Sequence, residues 1–157
     1  NLYGPNDNYH PRNSHVFAAL LRKFYLAKMN KDKFVSCWGS GNVLREFMHV
    51  DDLASAILYS LEYWDPNSEN APLDKNGKPL TYLNVGTGQE ISIKNLAKKI
   101  SHIMKFDGDI LWDKSKPEGT PRKLLCSERI NKLGWGSKIT LEEGIQKTLI
   151  YIEQSIF

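Results

Sequence analysis

The sequence is poor in cysteine and contains no long apolar run. Its two cysteines, Cys37 and Cys126, lie far apart and form no CxxC pattern, which argues against a disulfide framework and against a zinc site. Such cysteine usage favours a reducing, cytoplasmic location. The longest strongly apolar stretch, residues 16–21, is far shorter than the roughly 20 residues needed to cross a bilayer. We therefore predict a cytoplasmic chain with no membrane partner.

Charge of one sign is not concentrated anywhere in the chain. The 157 residues include 21 Lys and Arg against 18 Asp and Glu, a formal net charge of +3, without a run of five or six like charges. This distribution disfavours a nucleic-acid partner. The mild positive surplus is compatible with a small anionic ligand such as a nucleoside diphosphate. With 41% apolar residues, the chain is long enough to fold as one compact unit.

The sequence also lacks a dinucleotide-binding glycine loop and a metal-ligand cluster. Gly86-Thr87-Gly88 does not have the GxGxxG spacing, so we interpret it as a turn. His10, His49 and His102 show no metal-ligand spacing with cysteines or carboxylates. We predict no metal site.

The first third of the chain contains loop, helix and strand patterns in turn. Residues 1–13 hold two prolines and four asparagines, which predicts a loop. Apolar residues then recur at helical spacing behind Ser14, which can cap the helix. Residues 34–38 predict a short strand that stops at Gly39 and Gly41, and residues 45–50 predict a second strand that forms a hairpin with it.

The rest of the chain continues the alternation. Asp51 and Asp52 suit the first turn of a helix that fades near Trp64. Ser92 is expected to open another helix, and Gly134 is a natural helix stop. The remaining predictions are an exposed loop over 65–79, a buried strand over 80–85, a strand over 109–112, a loop over 114–123 and helices over 127–133 and 141–152. The alternation predicts an α/β fold.

Several segments together resemble a known enzyme family. The motifs NLYGP, WGSG, REFMHVDD and KPEGTPRK, together with NVGTG at residues 84–88, occur in various forms in extended short-chain dehydrogenases acting on nucleotide sugars. The combination DNYHPRNSHV, residues 7–16, is more particular to the GDP-L-fucose synthase family. The resemblance covers essentially the whole chain.

The resemblance implies a fold in which a doubly wound nucleotide-binding sheet meets a smaller substrate domain. It implies that residues 1–157 are a C-terminal fragment, with the N-terminal cofactor-binding part absent. Residues 12–49 and 87–157 then belong to the substrate-binding domain, and residues 50–86 return to the nucleotide-binding sheet. Because the sheet neighbours of residues 50–86 are missing, we expect apolar surface to be exposed there or to find a substitute partner.

The family's activity is the NADPH-dependent conversion of GDP-4-keto-6-deoxy-mannose to GDP-L-fucose, by epimerisation followed by reduction. The resemblance therefore implies a GDP-sugar ligand, NADP as cofactor, and a homodimer for the full-length parent. The family's Tyr-x-x-x-Lys pair is not found in a matching context. We expect the fragment alone to bind the cofactor weakly and to be inactive.

By resemblance, His15 is the catalytic proton donor. Epimerisation beside a ketone needs one group to remove a proton and another to return it, and imidazole titrates in the useful range. The family's opposing cysteine lies in the absent half, and neither Cys37 nor Cys126 falls at that motif. A simpler alternative is that His15 only hydrogen-bonds at the start of a helix.

The resemblance also assigns binding residues. Arg45 and Lys123 are expected to hold the diphosphate, since a guanidinium offers paired donors to phosphate oxygens. Lys23 takes a position usually held by Arg, which loses the planar fork. Trp38 can stack on guanine or pack in the core. Further substrate contacts are expected from Val16, Leu20 and Glu118, the last commonly Asp in the family, and cofactor contacts from Asn1, Leu2 and His15.

Two alternatives remain open at this point. The chain can belong to another nucleotide-sugar epimerase or dehydratase that shares NLYGP and REFMHVDD but takes another base or sugar. It can also be a non-catalytic module for nucleotide binding, partner binding or dimerisation. Cys126 stands where the family usually has an aspartate, a change without an evident consequence.

Overall fold

The computed structural model describes residues 1–155, so the last two residues of the predicted range 87–157 lie outside it. Within those residues helices and short strands alternate. The helices are α1 (Val16–Asn30), α2 (Val50–Tyr63), α3 (Ile93–Met104), α4 (Glu128–Lys132) and α5 (Leu141–Ser155). The strands are β1 (Leu2–Tyr3), β2 (Phe34–Trp38), β3 (Leu44–Glu46), β4 (Met48–His49), β5 (Glu90–Ser92), β6 (Asp109–Asp113) and β7 (Arg122–Lys123).

The strands form three small sheets. β2 and β6 pair in parallel over their whole length, from Phe34 beside Asp109 to Trp38 beside Asp113. β3 is the middle strand of the second sheet, antiparallel to β5 and parallel to β7. β1 and β4 form a two-residue parallel pair. The second sheet brings the REFMHVDD and KPEGTPRK motifs side by side.

One large apolar core supports the two larger sheets. Helix α1 turns Phe17, Leu21 and Phe24 inward, and all three side chains are at most 2% exposed. Helices α3 and α5 contribute to the same cluster, including Leu96, Ile100 and Ile145. The helical spacing of these residues in the sequence places them on one face, as an amphipathic helix requires. A much smaller cluster is formed by Met48, Ala56, Ile130 and Trp135.

Most predicted elements are confirmed. The helix behind Ser92 is capped by that side chain, which accepts from the Asn95 amide at 3.1 Å. The predicted acidic first turn, the strand at residue 109 and the last two helices are also present. Gly134 follows α4 with φ +110°, a conformation that suits glycine at a helix end.

Three predictions about the first half are wrong. Helix α1 is preceded by His15 at the N-cap position, not by Ser14. The predicted hairpin does not form, because β2 pairs with β6 and β3 joins another sheet. Gly39 and Gly41, both at φ +77°, carry the chain from one sheet to the other. Leu2 and Tyr3, predicted as loop, form a strand because β4 offers them a parallel neighbour.

Two predictions about the second half are also wrong. Residues 80–85 form no strand and pair with no strand in the described part of the chain; only Leu80 among them is buried. A buried strand needs neighbours on both sides, and apolar composition alone does not supply them. Arg122 and Lys123, predicted as loop, pair with β3 instead.

Helix α2 exposes a broad apolar face. Ile57, Leu58, Leu61 and Tyr63 are between 53% and 78% exposed. The apolar surface expected over residues 50–86 is therefore present. No helix within residues 1–155 is long and apolar enough to cross a membrane.

Candidate functional site

A cleft of about 780 Å³ lies between the loop after β1, the start of α1, the end of β2 and the second sheet. All ten residues singled out from the sequence line it: Asn1, Leu2, His15, Val16, Leu20, Lys23, Trp38, Arg45, Glu118 and Lys123. They come from five separate stretches of the chain. The fold thus brings together residues that the sequence places more than a hundred positions apart.

His15 lies at the N-terminus of α1 with its side chain exposed to the cleft. Its backbone is extended, with φ −71° and ψ 162°, and its imidazole makes no capping hydrogen bond. This geometry does not favour the alternative in which His15 only hydrogen-bonds at the start of the helix. Both ring nitrogens remain available to a ligand.

Arg45 and Lys123 are neighbours across the β3–β7 pair. The parallel register sets Arg45 directly beside Lys123, so their side chains leave the same face of the sheet. The Arg45 Nη1 atom donates to the Leu44 carbonyl at 2.7 Å, and within residues 1–155 neither cation forms an ion pair. Arg122, one position earlier, is instead paired with Glu90 at 2.7 Å and does not line the cleft.

Trp38 lines the cleft as an exposed side chain. The sequence alternative in which it packs in the core is therefore wrong. The indole is 60% exposed. The ammonium groups of Lys23 and Lys116 lie 5.7 and 5.8 Å from its ring centroid. The Lys23 Nζ atom also donates to the Ser36 carbonyl at 2.7 Å, which holds it near the ring. The exposed indole is a candidate stacking surface for an aromatic ligand.

Glu118 is tied to the WGSG turn. Its Oε1 atom accepts a hydrogen bond from the Ser40 amide, and hydrogen bonding by Ser40 lowers the pKa of this carboxyl group. A Cβ atom at Gly39 would lie 2.9 Å from the Glu118 side chain, so glycine is needed for this close approach. The carboxylate is thus held ionised at the rim of the cleft beside Trp38.

The remaining predicted residues provide apolar and backbone surface. Leu20 is buried, while Val16 and Leu2 are 38% and 46% exposed. The Asn1 side-chain amide donates to the Glu46 carbonyl at 2.8 Å, which fixes Asn1 against β3. This end of the cleft presents apolar side chains and an ordered backbone.

The cleft residues that were not anticipated from the sequence include three with charged or thiol side chains. Arg12 and Asp7 lie in the loop before α1, and Cys37 lies on β2. Arg12 lies three positions before His15, and this closeness in sequence to a predicted site residue is the only feature of the sequence that could have indicated a role in the cleft. Burial raises the pKa of the Cys37 thiol, which keeps it protonated.

The charge of the cleft is positive. Arg12, Lys23, Arg45 and Lys123 line it, against Asp7 and Glu118. Cations that converge on a concave surface raise the local concentration of anions. Since the indole of Trp38 and the imidazole of His15 also line it, the cleft suits an anion that carries both an aromatic group and a reactive group.

The sequence and fold match known proteins of one class. Residues 1–71 match the model of the NAD dependent epimerase/dehydratase family. The fold agrees with that of a GDP-6-OMe-4-keto-L-xylo-heptose reductase from C. jejuni, with a TM-score of 0.84 and 32% identity over 98% of this chain and 52% of that protein. The chain is therefore similar to proteins of this family and shares their α/β fold.

The chain is also similar to GDP-L-fucose synthases. It is 45% identical over 148 residues to GDP-L-fucose synthase of Escherichia coli (strain K12), a match that covers 94% of this chain and 45% of that protein. A GDP-L-fucose synthetase from Naegleria fowleri bound to NADP has a TM-score of 0.79 and 27% identity over 98% of this chain and 44% of that one. The chain thus spans about half the length of the relatives it matches.

Proposed function

We propose that the chain is the substrate-binding part of an NADP-dependent epimerase/reductase that makes GDP-L-fucose from GDP-4-keto-6-deoxy-mannose. The observation that carries the proposal is the cleft in which His15, Trp38 and the adjacent Arg45 and Lys123 converge. In this proposal residues 12–49 and 87–157 form the substrate-binding domain, and residues 50–86 belong with a nucleotide-binding sheet.

The diphosphate of the substrate is proposed to lie over Arg45 and Lys123. Two unpaired cations in adjacent register can each reach a phosphate oxygen, and a charge-assisted hydrogen bond contributes roughly 1.5–3 kcal/mol. The guanine then extends towards Trp38, whose indole is exposed, and Glu118 can accept from the base with the oxygen that the Ser40 amide leaves free. The sugar is left near His15, Val16 and Leu20.

His15 is proposed to donate the proton in the epimerisation. The carbon beside the ketone loses a proton to an opposing base, a cysteine in the family, and becomes an enolate; a proton returned by His15 from the opposite face inverts the carbon. An exposed imidazole that lines the cleft and makes no capping hydrogen bond can supply that proton. Cys37 is an unsuitable partner, because its thiol is buried and its pKa is raised.

Asn1 and Leu2 fit a role beside the cofactor. Leu2 presents a half-exposed apolar side chain at the cleft and its backbone is held by pairing with Met48, which suits the flat face of a nicotinamide ring. NADPH would supply the hydride that reduces the ketone after epimerisation. The contribution of this chain is to hold the sugar and the proton donor next to that position.

Calorimetry with nucleotides tests the binding proposal. The 157-residue chain should bind GDP and GDP-mannose more tightly than UDP or dTDP, and Arg45→Ala or Lys123→Ala should each weaken GDP binding about tenfold or more, the loss of one charge-assisted contact. Arg122→Ala is the matched control, because Arg122 is the next residue on the same strand and lies outside the cleft. Binding that does not depend on Arg45 and Lys123 would contradict the proposal and favour a structural module.

A second candidate differs only in the sugar. The C. jejuni protein with the TM-score of 0.84 is named a GDP-heptose reductase, which favours a GDP-sugar enzyme acting on another hexose or heptose. Both candidates predict GDP binding. Competition between GDP-fucose and GDP-heptose for the same cleft separates them.

We propose further that the 157-residue chain alone binds substrate without turnover. Its residues provide a proton donor and a diphosphate site, while the Tyr-x-x-x-Lys pair of the family has no counterpart in the sequence. GDP-L-fucose formation by the purified chain with NADPH would contradict this. A homodimeric full-length parent and a cytoplasmic location remain proposals, to be checked by light scattering of that parent and by imaging in cells.

A further inference from the structure

Glu46 is a buried carboxylate in the middle of the second sheet. Its side chain is 2% exposed and follows Arg45 on β3. The Oε1 atom accepts from the Gly88 amide at 2.7 Å and from the Thr87 hydroxyl at 3.5 Å, and the Oε2 atom accepts from the Leu125 amide at 3.3 Å. Each carboxylate oxygen therefore serves a different neighbouring segment.

Both segments adjoin strands that flank β3. Gly88 lies two residues before β5, and Leu125 lies two residues after Lys123 at the end of β7. A Cβ atom at Gly86 would lie 2.6 Å from Glu46 Oε1, so the GTG bend can approach the carboxylate only with glycine there. The GTG segment, interpreted from the sequence as a turn, thus donates hydrogen bonds to the Glu46 carboxylate.

Besides the hydrogen bond from Leu125 to Glu46, β7 is held by its pairing with β3 and by the exposed Arg122–Glu90 ion pair. It contains two residues, in register with Leu44 and Arg45, and before it the Leu44 amide donates to the Pro121 carbonyl at 2.9 Å. The bond from Leu125 to Glu46 therefore fixes the exit of a strand that is otherwise short and exposed. The position of Lys123 depends on both ends of that strand.

We infer that Glu46 is a positioning residue for the nucleoside diphosphate site, which holds Lys123 beside Arg45 by fixing the segments around Leu125 and Gly88. The inference rests on the proposed function, because it assigns the two cations to a phosphate ligand. Glu46 does not line the cleft and touches no substrate. It acts through the strand that carries Lys123.

Glu46→Gln tests the inference with almost no change in shape. An amide has one oxygen and one NH2 group, so in either orientation the NH2 group faces an N–H donor of Gly88 or Leu125. We expect GDP affinity to fall about tenfold by calorimetry, the size expected when one buried donor loses its acceptor. Glu128→Gln is the matched control: Glu128 is an exposed carboxylate on α4 that lies outside the cleft, and the affinity of this variant should stay within about twofold.

A double-mutant cycle separates positioning from general stability. If Glu46 acts through Lys123, then Glu46→Gln in a Lys123→Ala background should lower GDP affinity by less than about twofold, because coupled residues are not additive. A purely structural role predicts the same tenfold loss in both backgrounds. That additive result would overturn the inference.

The outcomes also separate this inference from the proposed function. If the unsubstituted chain binds no GDP, the proposed function fails and the inference falls with it. If the unsubstituted chain binds GDP and Glu46→Gln binds it equally well, only the inference is overturned. Should circular dichroism show Glu46→Gln to be unfolded, Leu125→Pro removes the amide donor and keeps the carboxylate; a similar loss of affinity supports the inference and unchanged affinity overturns it.

Discussion

The part of the molecule that forms the cleft and the part over residues 50–86 differ in how they bury apolar side chains. Helix α1 places Phe17, Leu21 and Phe24 in the large core. Helix α2 has almost the same length, yet among its residues only Asp52 and Ala56 are buried. Two helices of similar length therefore differ in burial, because burial depends on the elements packed around a helix and not only on its own pattern of apolar residues.

Hydrogen bonds connect α2 to the C-terminal part of the chain. Asp52 accepts from the Lys138 and Ile139 amides at 3.1 and 3.0 Å. The Tyr59 hydroxyl donates to the Leu133 carbonyl at 2.6 Å. These contacts join α2 to the loops around α4 and α5, while its apolar face stays in solvent.

The largest expected effect compares one apolar residue from each part. Phe24→Ala should lower the free energy of unfolding by about 3–5 kcal/mol, because it leaves a cavity in the main core. Leu61→Ala, on the exposed face of α2, should change it by less than about 0.5 kcal/mol. Urea unfolding followed by circular dichroism measures both. An equal cost for the two substitutions would show that α2 is covered in solution.

The next effect concerns the polar attachment of α2. Asp52→Ala should cost about 1–3 kcal/mol, since two amides lose their acceptor in a buried setting. Asp51→Ala is the matched control, because both carboxylates lie in the first turn of α2 but Asp51 is 63% exposed. The same urea unfolding experiment decides the result. A loss no larger than that of Asp51→Ala would mean that the two hydrogen bonds contribute little to stability.

The comparison also explains which parts of the fold were predictable from the sequence. Helices behind Ser92 and the Asp51-Asp52 pair follow from local capping and periodicity, and they are where expected. The strand predicted over 80–85 and the hairpin both depended on distant partners. Pairing of β2 with β6 joins residues about 75 positions apart, and no local pattern specifies such a neighbour.

The candidate site follows a similar division. Family motifs identified ten side chains that share the cleft, including the Arg45 and Lys123 pair. The motifs did not reveal that Lys123 lies on a strand or that Glu46 holds it, because both facts depend on the register between β3 and β7. Arg12 was missed because a lone arginine in a loop has no pattern of its own.

A smaller effect is expected from pH through His49. This imidazole is 1% exposed, its Nδ1 atom accepts from the Asp51 amide at 3.2 Å, and burial lowers its pKa. The unfolded chain therefore takes up a proton near pH 6.5, before the folded protein does, so the free energy of unfolding should fall as the pH drops from about 7 towards 5. Above about pH 7.5 this residue should have no effect.

Urea unfolding of His49→Asn at several pH values measures that contribution. Asparagine can still accept from the Asp51 amide but does not titrate, so the slope between pH 7 and 5 should flatten. His102→Asn, which replaces an exposed histidine on α3, should leave the slope unchanged. Identical slopes for His49→Asn and the unsubstituted chain would exclude His49 as the source.

The smallest expected effect lies in the cleft and concerns Lys23. A guanidinium at this position can stack on the Trp38 ring, which the Lys23 ammonium approaches only to 5.7 Å, and can offer paired donors to a phosphate. Lys23→Arg should therefore strengthen GDP binding about two- to fivefold by calorimetry. Lys28→Arg, on the same helix but outside the cleft, should change nothing. If Lys23→Arg weakens binding instead, the Lys23 hydrogen bond to the Ser36 carbonyl contributes more to the shape of the cleft than the guanidinium adds in contacts.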